Sequence, residues 1–231
     1  ASSSQNDIED VYFLPAAGVT GKFKIDYTAY SSSNSDLGSG TITVNIKSKT
    51  SSDKFTDVST KTGFQWAADS IDFGADNGII KGATTYTFAP SQSLTRAQLV
   101  TILYRIAGEP ETSAAIPFAD VADGQWYTKA IVWAAENGIV KGVNETTFAP
   151  NDPITREQIA VILYRYAHEE NTEDGKLTSF PDAKDISGYA LEAMNWAVAR
   201  GLINGSDGKL LPQDTATRAQ IAVILARYLN A

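Results

Sequence analysis

The 231 residues include no cysteine. That absence removes disulfides, thiolate nucleophiles and Cys-ligated metals together, and leaves a chain indifferent to redox compartment. Histidine is almost as scarce: the single His168 excludes a multi-histidine metal site and argues against a Ser-His-Asp hydrolase. No run approaches the roughly twenty uninterrupted apolar residues that a membrane-spanning helix needs. Positive charge is in deficit, 19 basic residues against 27 acidic, for a net charge of -8. Phosphate tracking needs clustered positive charge, so the composition speaks against nucleic acid and anionic membranes as partners. Nor is there a glycine-rich phosphate loop. With 43% hydrophobic and 20% charged residues the composition is that of a globular protein. What is missing leans toward binding rather than catalysis, with no catalytic residue, metal or cofactor implied. The opening Ala1-Ser-Ser-Ser-Gln-Asn-Asp7, without an initiator Met or an apolar leader, reads as an excised piece of a longer protein.

Two textures succeed one another along the chain. In residues 1–52, Phe23, Ile25, Tyr27 and Ala29 alternate with Lys22, Lys24, Asp26 and Thr28. Ile42, Val44 and Ile46 then alternate with Thr41, Thr43 and Asn45. Period-two alternation predicts two strands with one buried face, joined across the polar stretch Ser31 to Gly40. Val11 to Leu14 is a candidate third strand. So few strands are barely self-supporting, which marks this segment as the tail of a truncated β-domain or as one that leans on the rest of the chain.

From about residue 53 the sequence repeats itself. Phe55-Thr-Asp-Val58 returns as Phe118-Ala-Asp-Val121 and Phe180-Pro-Asp-Ala183, at offsets of 63 and 62 residues. Asn77-Gly-Ile-Ile-Lys-Gly82 returns as Asn137-Gly-Ile-Val-Lys-Gly142 and more loosely as Arg200-Gly-Leu-Ile-Asn-Gly205. Leu94-Thr-Arg-Ala-Gln98 returns as Ile154-Thr-Arg-Glu-Gln158 and Ala216-Thr-Arg-Ala-Gln220. Three blocks in constant order mean repeated supersecondary units sharing a core. The expected units are 53–110, 116–170 and 178–231, each a helix, a loop and a helix. The first helix carries a stripe such as Tyr127, Ala130, Ile131, Ala134 and Ala135, and stops at Gly78, Gly138 or Gly201 as a left-handed cap. The second carries Leu99, Ile102, Leu103 and Ile106 or their counterparts, and three such stripes facing one another would form the common core.

The Thr-Arg-x-Gln block explains itself in part. Thr95, Thr155 and Thr217 stand one residue before a helical stripe with Gln98, Gln158 and Gln220 three later, which is a capping box. The arginines do not fit. Arg96, Arg156 and Arg218 take the first helical position, where the macrodipole disfavours a cation by about 0.3–1 kcal/mol. Either a carboxylate or phosphate ligand docks on the guanidinium beside free helix amides, or the arginine pairs with Asp57, Asp120 or Asp182 of a neighbouring unit.

The ordered set of Phe-x-Asp-Val, Trp, Gly-Ile-x-Lys-Gly, Phe-x-Pro and Thr-Arg-Ala resembles the S-layer homology module, over roughly residues 54–231. The resemblance implies a mostly α fold: a pseudo-threefold, three-pronged bundle, here preceded by the short β-rich segment. It implies a wall anchor on the surface of Gram-positive-type bacteria, binding a secondary polysaccharide that bears a pyruvate ketal in grooves between prongs. Carried onto this chain, the groove arginine falls on Arg96, Arg156 and Arg218, the motif aspartate on Asp57, Asp120 and Asp182, and the groove aromatic on Trp66 and Trp126. The turn that offers an ammonium and backbone N–H groups falls on Lys81-Gly82 and Lys141-Gly142. In the third unit Tyr189 stands for the tryptophan, Asn204 for the lysine and Ala216 for the large aliphatic, so unequal grooves are expected, with those built on Arg218, Tyr189 and Asn204 the doubtful ones. Trp133 and Trp196 lie in the helical stripes and are expected in the core.

Two other readings stand beside this one. A lattice module could self-associate through edge strands in 1–52 and would need no groove arginines. A peptidoglycan-linked amine or unpyruvylated polymer would prefer the acidic side chains. Catalysis by paired carboxylates is set aside, because the candidate groups recur in near-identical surroundings while a catalytic pair is assembled from unlike ones.

Overall fold

The computed structural model describes residues 21–30, 33, 35–46, 51–169 and 174–230. The candidate strand at 11–14 lies outside them. Two compact units result, Ala1–Ser48 and Lys49–Ala231.

In the first unit β1 (Gly21–Tyr30) pairs antiparallel with β2 (Asp36–Ile46), Ile25 opposite Ile42 and Asp26 opposite Thr41. The second strand begins earlier than the apolar alternation predicts. Ser39 and Gly40 pair with Thr28 and Tyr27, and on the face expected to be buried Tyr27 and Ile42 are 49% and 53% exposed, so an apolar residue is not required for pairing there.

Among the described residues the second unit has six α-helices: α1 (Ala68–Asp76), α2 (Arg96–Ile106), α3 (Thr128–Glu136), α4 (Arg156–Ala167), α5 (Leu191–Ala199) and α6 (Arg218–Leu229). Gly78, Gly138 and Gly201 come after the first helix of each repeat with φ of 67°, 69° and 66°, the left-handed conformation that ends a helix at low cost. All three predicted capping boxes form, with Thr95, Thr155 and Thr217 accepting from the amides of Gln98, Gln158 and Gln220.

Pairing between helices departs from expectation. The second helices do not chiefly face one another. Each packs on the first helix of the next repeat: α2 on α3, α4 on α5, and α6 on α1. The sequence repeat is therefore not the packing unit, and the third repeat closes onto the first. At the centre the backbone forms a ring of hydrogen bonds. Leu94 N donates to Ala216 O at 3.0 Å, Ala216 N to Ile154 O at 3.0 Å, and Ile154 N to Leu94 O at 2.9 Å. All three side chains are fully buried in the single core cluster. One small residue among the three is thus found at the pseudo-threefold centre, where large side chains converge.

Trp133 and Trp196 are buried, as expected, in a run of ring contacts that links Tyr104, Trp133, Tyr166, Tyr228, Trp196 and Tyr164 across the later ends of the second helices.

Candidate functional site

The helix N-termini are not open. In α2 the Thr95 N–H donates to Gln98 Oε1, and the Gln98 N–H to Thr95 Oγ1. The two amides between them donate to the neighbouring repeat, Arg96 N to Asp152 O and Ala97 N to Pro150 O, both at 3.0 Å. In α4, Arg156 N and Glu157 N reach Asp214 O and Pro212 O; in α6, Arg218 N and Ala219 N reach Gln92 O and Pro90 O. At the starts of α2, α4 and α6 every amide that a helix start normally leaves unpaired is taken. The expectation of free amides beside the guanidinium is therefore wrong: the next repeat's loop occupies them.

That loop also answers the electrostatic puzzle of the arginines. Arg96 Nε donates to Phe148 O at 2.8 Å and its Nη2 to Lys141 O at 3.1 Å. Arg218 does the same to Phe88 O at 2.8 Å and Lys81 O at 2.6 Å. The Arg156 guanidinium makes one hydrogen bond among the described residues, from Nε to Leu210 O at 2.7 Å. Carbonyl oxygens supply the negative surroundings that the macrodipole withholds, and the guanidiniums of Arg96 and Arg218 also lie 4.6 Å from the rings of Phe148 and Phe88. Burial holds all three arginines below their ordinary pKa, opposed by Asp152 and Asp120 near Arg96, Asp214 and Asp182 near Arg156, and Asp57 near Arg218.

The aspartates act on the same loops from the other side. Asp57 accepts from Phe88 N and Ala89 N, and Asp120 from Phe148 N and Ala149 N, all at 2.8 Å. Asp182 accepts from Leu210 N and Leu211 N at 3.0 and 2.7 Å. Among the described residues no arginine of the motif forms an ion pair with them, so the direct salt bridge gives way to an indirect one through the loop. These bonds hold Ala89, Ala149 and Leu211 at φ of 58°, 60° and 52°, a left-handed conformation unusual for residues with a Cβ. Gly82 and Gly142 have a packing reason as well: a Cβ on Gly82 would lie 2.5 Å from the Phe55 ring and from Thr84 O, and Gly142 is crowded in the same way.

Trp66, Trp126, Lys141 and Gly142 line cavities between repeats, as do Arg96 and Arg156, whereas Arg218 lines none of the three. One cavity of about 460 Å³ brings together Arg96, Lys141, Gly142, Arg165 and Tyr189. A second, about 380 Å³, joins Arg156, Arg227, Asn204, Gly205 and Trp66. A third, about 360 Å³, has Trp126 and Arg105 but also Glu109 and Asp123. The aromatic walls are exposed, Trp66 by 53%, Trp126 by 59% and Tyr189 by 60%, so core packing is not their role. Lys81 and Gly82 line none of these cavities; the Lys81 carbonyl meets Arg218 instead.

Each groove is assembled across repeat boundaries, so the departures of the third repeat do not fall together. Tyr189 joins Arg96, and Asn204 joins Arg156. Sequence reading also missed a second arginine series. Arg105, Arg165 and Arg227 come nine residues after the motif arginines each time, and line the three cavities. That constant offset was the available signal. Glu157 was missed too: it is 2% exposed and accepts from Ser187 N, Ser187 Oγ and the Tyr189 hydroxyl at 2.9, 2.8 and 2.9 Å. Alanine takes its place in the other two repeats.

The three sequence blocks now have one geometry, and a family model describes them. The S-layer homology domain matches at residues 54–100, 117–160 and 179–222, more than half of the chain. The chain belongs to this family. Among curated relatives, it is 31% identical over 201 residues to an amylopullulanase of Thermoanaerobacterium thermosulfurigenes, covering 84% of this chain and 11% of the relative. It is 36% identical over 169 residues to the surface-layer 125 kDa protein of Lysinibacillus sphaericus, 71% of this chain and 14% of that one. To the S-layer protein sap of Bacillus anthracis it is 32% identical over 164 residues, 70% and 20%. The S-layer homology repeats of this chain thus span a fifth or less of these relatives' lengths.

Proposed function

We propose that the three S-layer homology repeats anchor the protein non-covalently to the bacterial cell wall, at the cell surface. In this reading the ligand is a peptidoglycan-linked secondary polysaccharide bearing a pyruvate ketal, held in the grooves between repeats. The observation that carries it is the recurrence in separate grooves of an arginine beside an exposed aromatic ring. A pyranose has an apolar face for Trp66, Trp126 or Tyr189 to cover, and a ketal carboxylate seeks a guanidinium in a chain otherwise rich in negative charge. Lys141 adds an ammonium to the Arg96 groove, and the Gly142 N–H makes no hydrogen bond among the described residues. Asp57, Asp120 and Asp182 contribute by holding the loops on which the arginines rest. The likeness to proteins named for surface layers supports attachment at the wall, and the amylopullulanase shows that such repeats accompany unrelated cargo.

The test is sedimentation with isolated Gram-positive wall sacculi, before and after acid removal of the secondary polymer. Binding should vanish on removal and weaken in Arg96→Ala or Arg156→Ala. Binding that survives both would direct attention to peptidoglycan itself. A lattice module remains the second reading, favoured by the two-stranded sheet whose outer edges are unpaired among the described residues. It predicts self-association with no attachment to sacculi.

A further inference from the structure

Asparagine followed by glycine occurs three times in the chain, at Asn77-Gly78, Asn137-Gly138 and Asn204-Gly205. With no Cβ on the second residue, such a dipeptide lets the glycine nitrogen reach the side-chain amide before it. The fold ties down the first two. Each ends a helix: the Nδ2 groups of Asn77 and Asn137 donate to Phe73 O and Trp133 O, both at 2.8 Å, and the N–H groups of Gly78 and Gly138 donate to Ala75 O and Ala135 O at 3.2 and 3.1 Å. The third pair is loose at both groups. Asn204 is exposed, and neither its side chain nor the Gly205 N–H makes a hydrogen bond among the described residues. The cause lies in how the third repeat departs from the others. Arg200 takes the helix-ending place of Asn77 and Asn137, and asparagine reappears at 204, where the other repeats have the turn lysine. Past it Ser206 and Lys209 bond each other at 2.8 and 2.9 Å, so the turn closes without drawing on Gly205.

We propose that Asn204 is a site of spontaneous deamidation, which changes the charge of the groove it lines. The Gly205 nitrogen gives up its proton and bonds to the side-chain carbonyl carbon of Asn204. The bond from that carbon to Nδ2 breaks, and ammonia leaves with the proton. Water then opens the cyclic imide at either carbonyl. Cleavage at the side-chain carbon restores the peptide with an aspartyl residue at position 204; cleavage at the other carbonyl leaves the main chain running through the side chain, as an iso-aspartyl residue. No oxidant or reductant enters. Asn204 and Gly205 share the cavity of about 380 Å³ with Arg156 and Arg227, and cations there favour loss of the amide proton. The lining holds no carboxylate before the reaction and one after it. Arg156 is 5% exposed and its guanidinium makes one hydrogen bond among the described residues, so the new charge competes there with any anionic ligand. An iso-aspartyl product acts further, because its extra main-chain atom falls beside a crowded residue: a Cβ on Gly205 would lie 2.6 Å from Lys209 O. The consequence for binding rests on the wall-anchoring reading above; the modification itself does not.

The test is a timed incubation of the chain in mildly alkaline buffer, folded and in urea, followed by peptide mapping with mass spectrometry. Deamidation adds about 1 Da, and iso-aspartyl peptides separate from aspartyl ones on the column. In the folded chain position 204 should gain this mass about tenfold faster than position 77 or 137. In urea the three should agree within about threefold, because only the fold protects the helix-ending pairs. Asn204→Gln, whose longer side chain has to close a larger ring, should show no gain at 204. A folded chain in which 77 or 137 keeps pace with 204, or in which 204 stays unmodified, overturns the proposal. Sedimentation with sacculi reads the consequence: Asn204→Asp should bind about threefold or more weakly than freshly purified parent. Parent-like binding by Asn204→Asp overturns the effect on the groove and leaves the modification standing. A parent that fails to bind sacculi overturns the anchoring reading instead, and the mapping still decides the site.

Discussion

Asp120 and Arg96 grip one loop from opposite directions, the carboxylate through N–H groups and the guanidinium through carbonyls. Asp120→Ala leaves the amides of Phe148 and Ala149 without acceptors and releases the left-handed Ala149, so thermal melts should show a loss of about 1–3 kcal/mol. At Asp182 burial pushes the carboxyl pKa up, but the Leu210 and Leu211 N–H bonds outweigh it and hold it below the ordinary value. A carboxylate depressed on folding stabilises above the unfolded pKa near 4 and loses that contribution as pH falls through its folded value. Tyr189 titrates the other way. Withdrawal of its hydroxyl from water, then the bond to Glu157, pushes the phenol up to about 12. The unfolded chain would release this proton nearer pH 10, so stability should fall as pH rises from about 10 toward 12. Urea melts across that window should show a shallower fall in Tyr189→Phe. The Glu157–Tyr189 pairing was not legible in the sequence, because the two lie in different repeats and meet only where α4 packs on the start of the third repeat.

At the scale of the element, the N-termini of α2, α4 and α6 are built from two sources. The Thr and Gln side chains come from the helix itself, and that half was readable from a four-residue spacing. The other half comes from a loop about fifty residues or more away in sequence, which no local signal announces. Thr155→Ala should cost about 1 kcal/mol, measured by chemical denaturation, with Thr95→Ala and Thr217→Ala close to it because all three caps share one geometry. The stripes predicted helices correctly but not their partners, since an apolar face does not say which other face will cover it. Arg105, Arg165 and Arg227 escaped notice for a different reason. A cation in the last turn of a helix already has an explanation in the macrodipole, so nothing about it asks for a second one.

The whole molecule's repeat region is a closed ring of three, and closure should make its unfolding cooperative. In an open repeat array each unit contacts only its neighbours, and end units can fray. Here α6 packs on α1, so no S-layer homology repeat is terminal. Circular dichroism and tryptophan fluorescence should report one coincident urea transition for residues 51–230, and removing the third repeat should abolish it rather than shorten it. Closure has another consequence, for topology. Lys54 pairs with Asp76 at the end of α1, at 2.7 Å, and Leu229 at the end of α6 lines one narrow crevice with Phe73 and Ile79 of the same corner. The two ends of the repeat region are therefore neighbours, and the order in which the repeats are threaded is incidental to how they pack. A circular permutant that opens the chain in the linker near residue 113 and joins 230 to 54 through a short glycine-serine bridge should fold to the same ring.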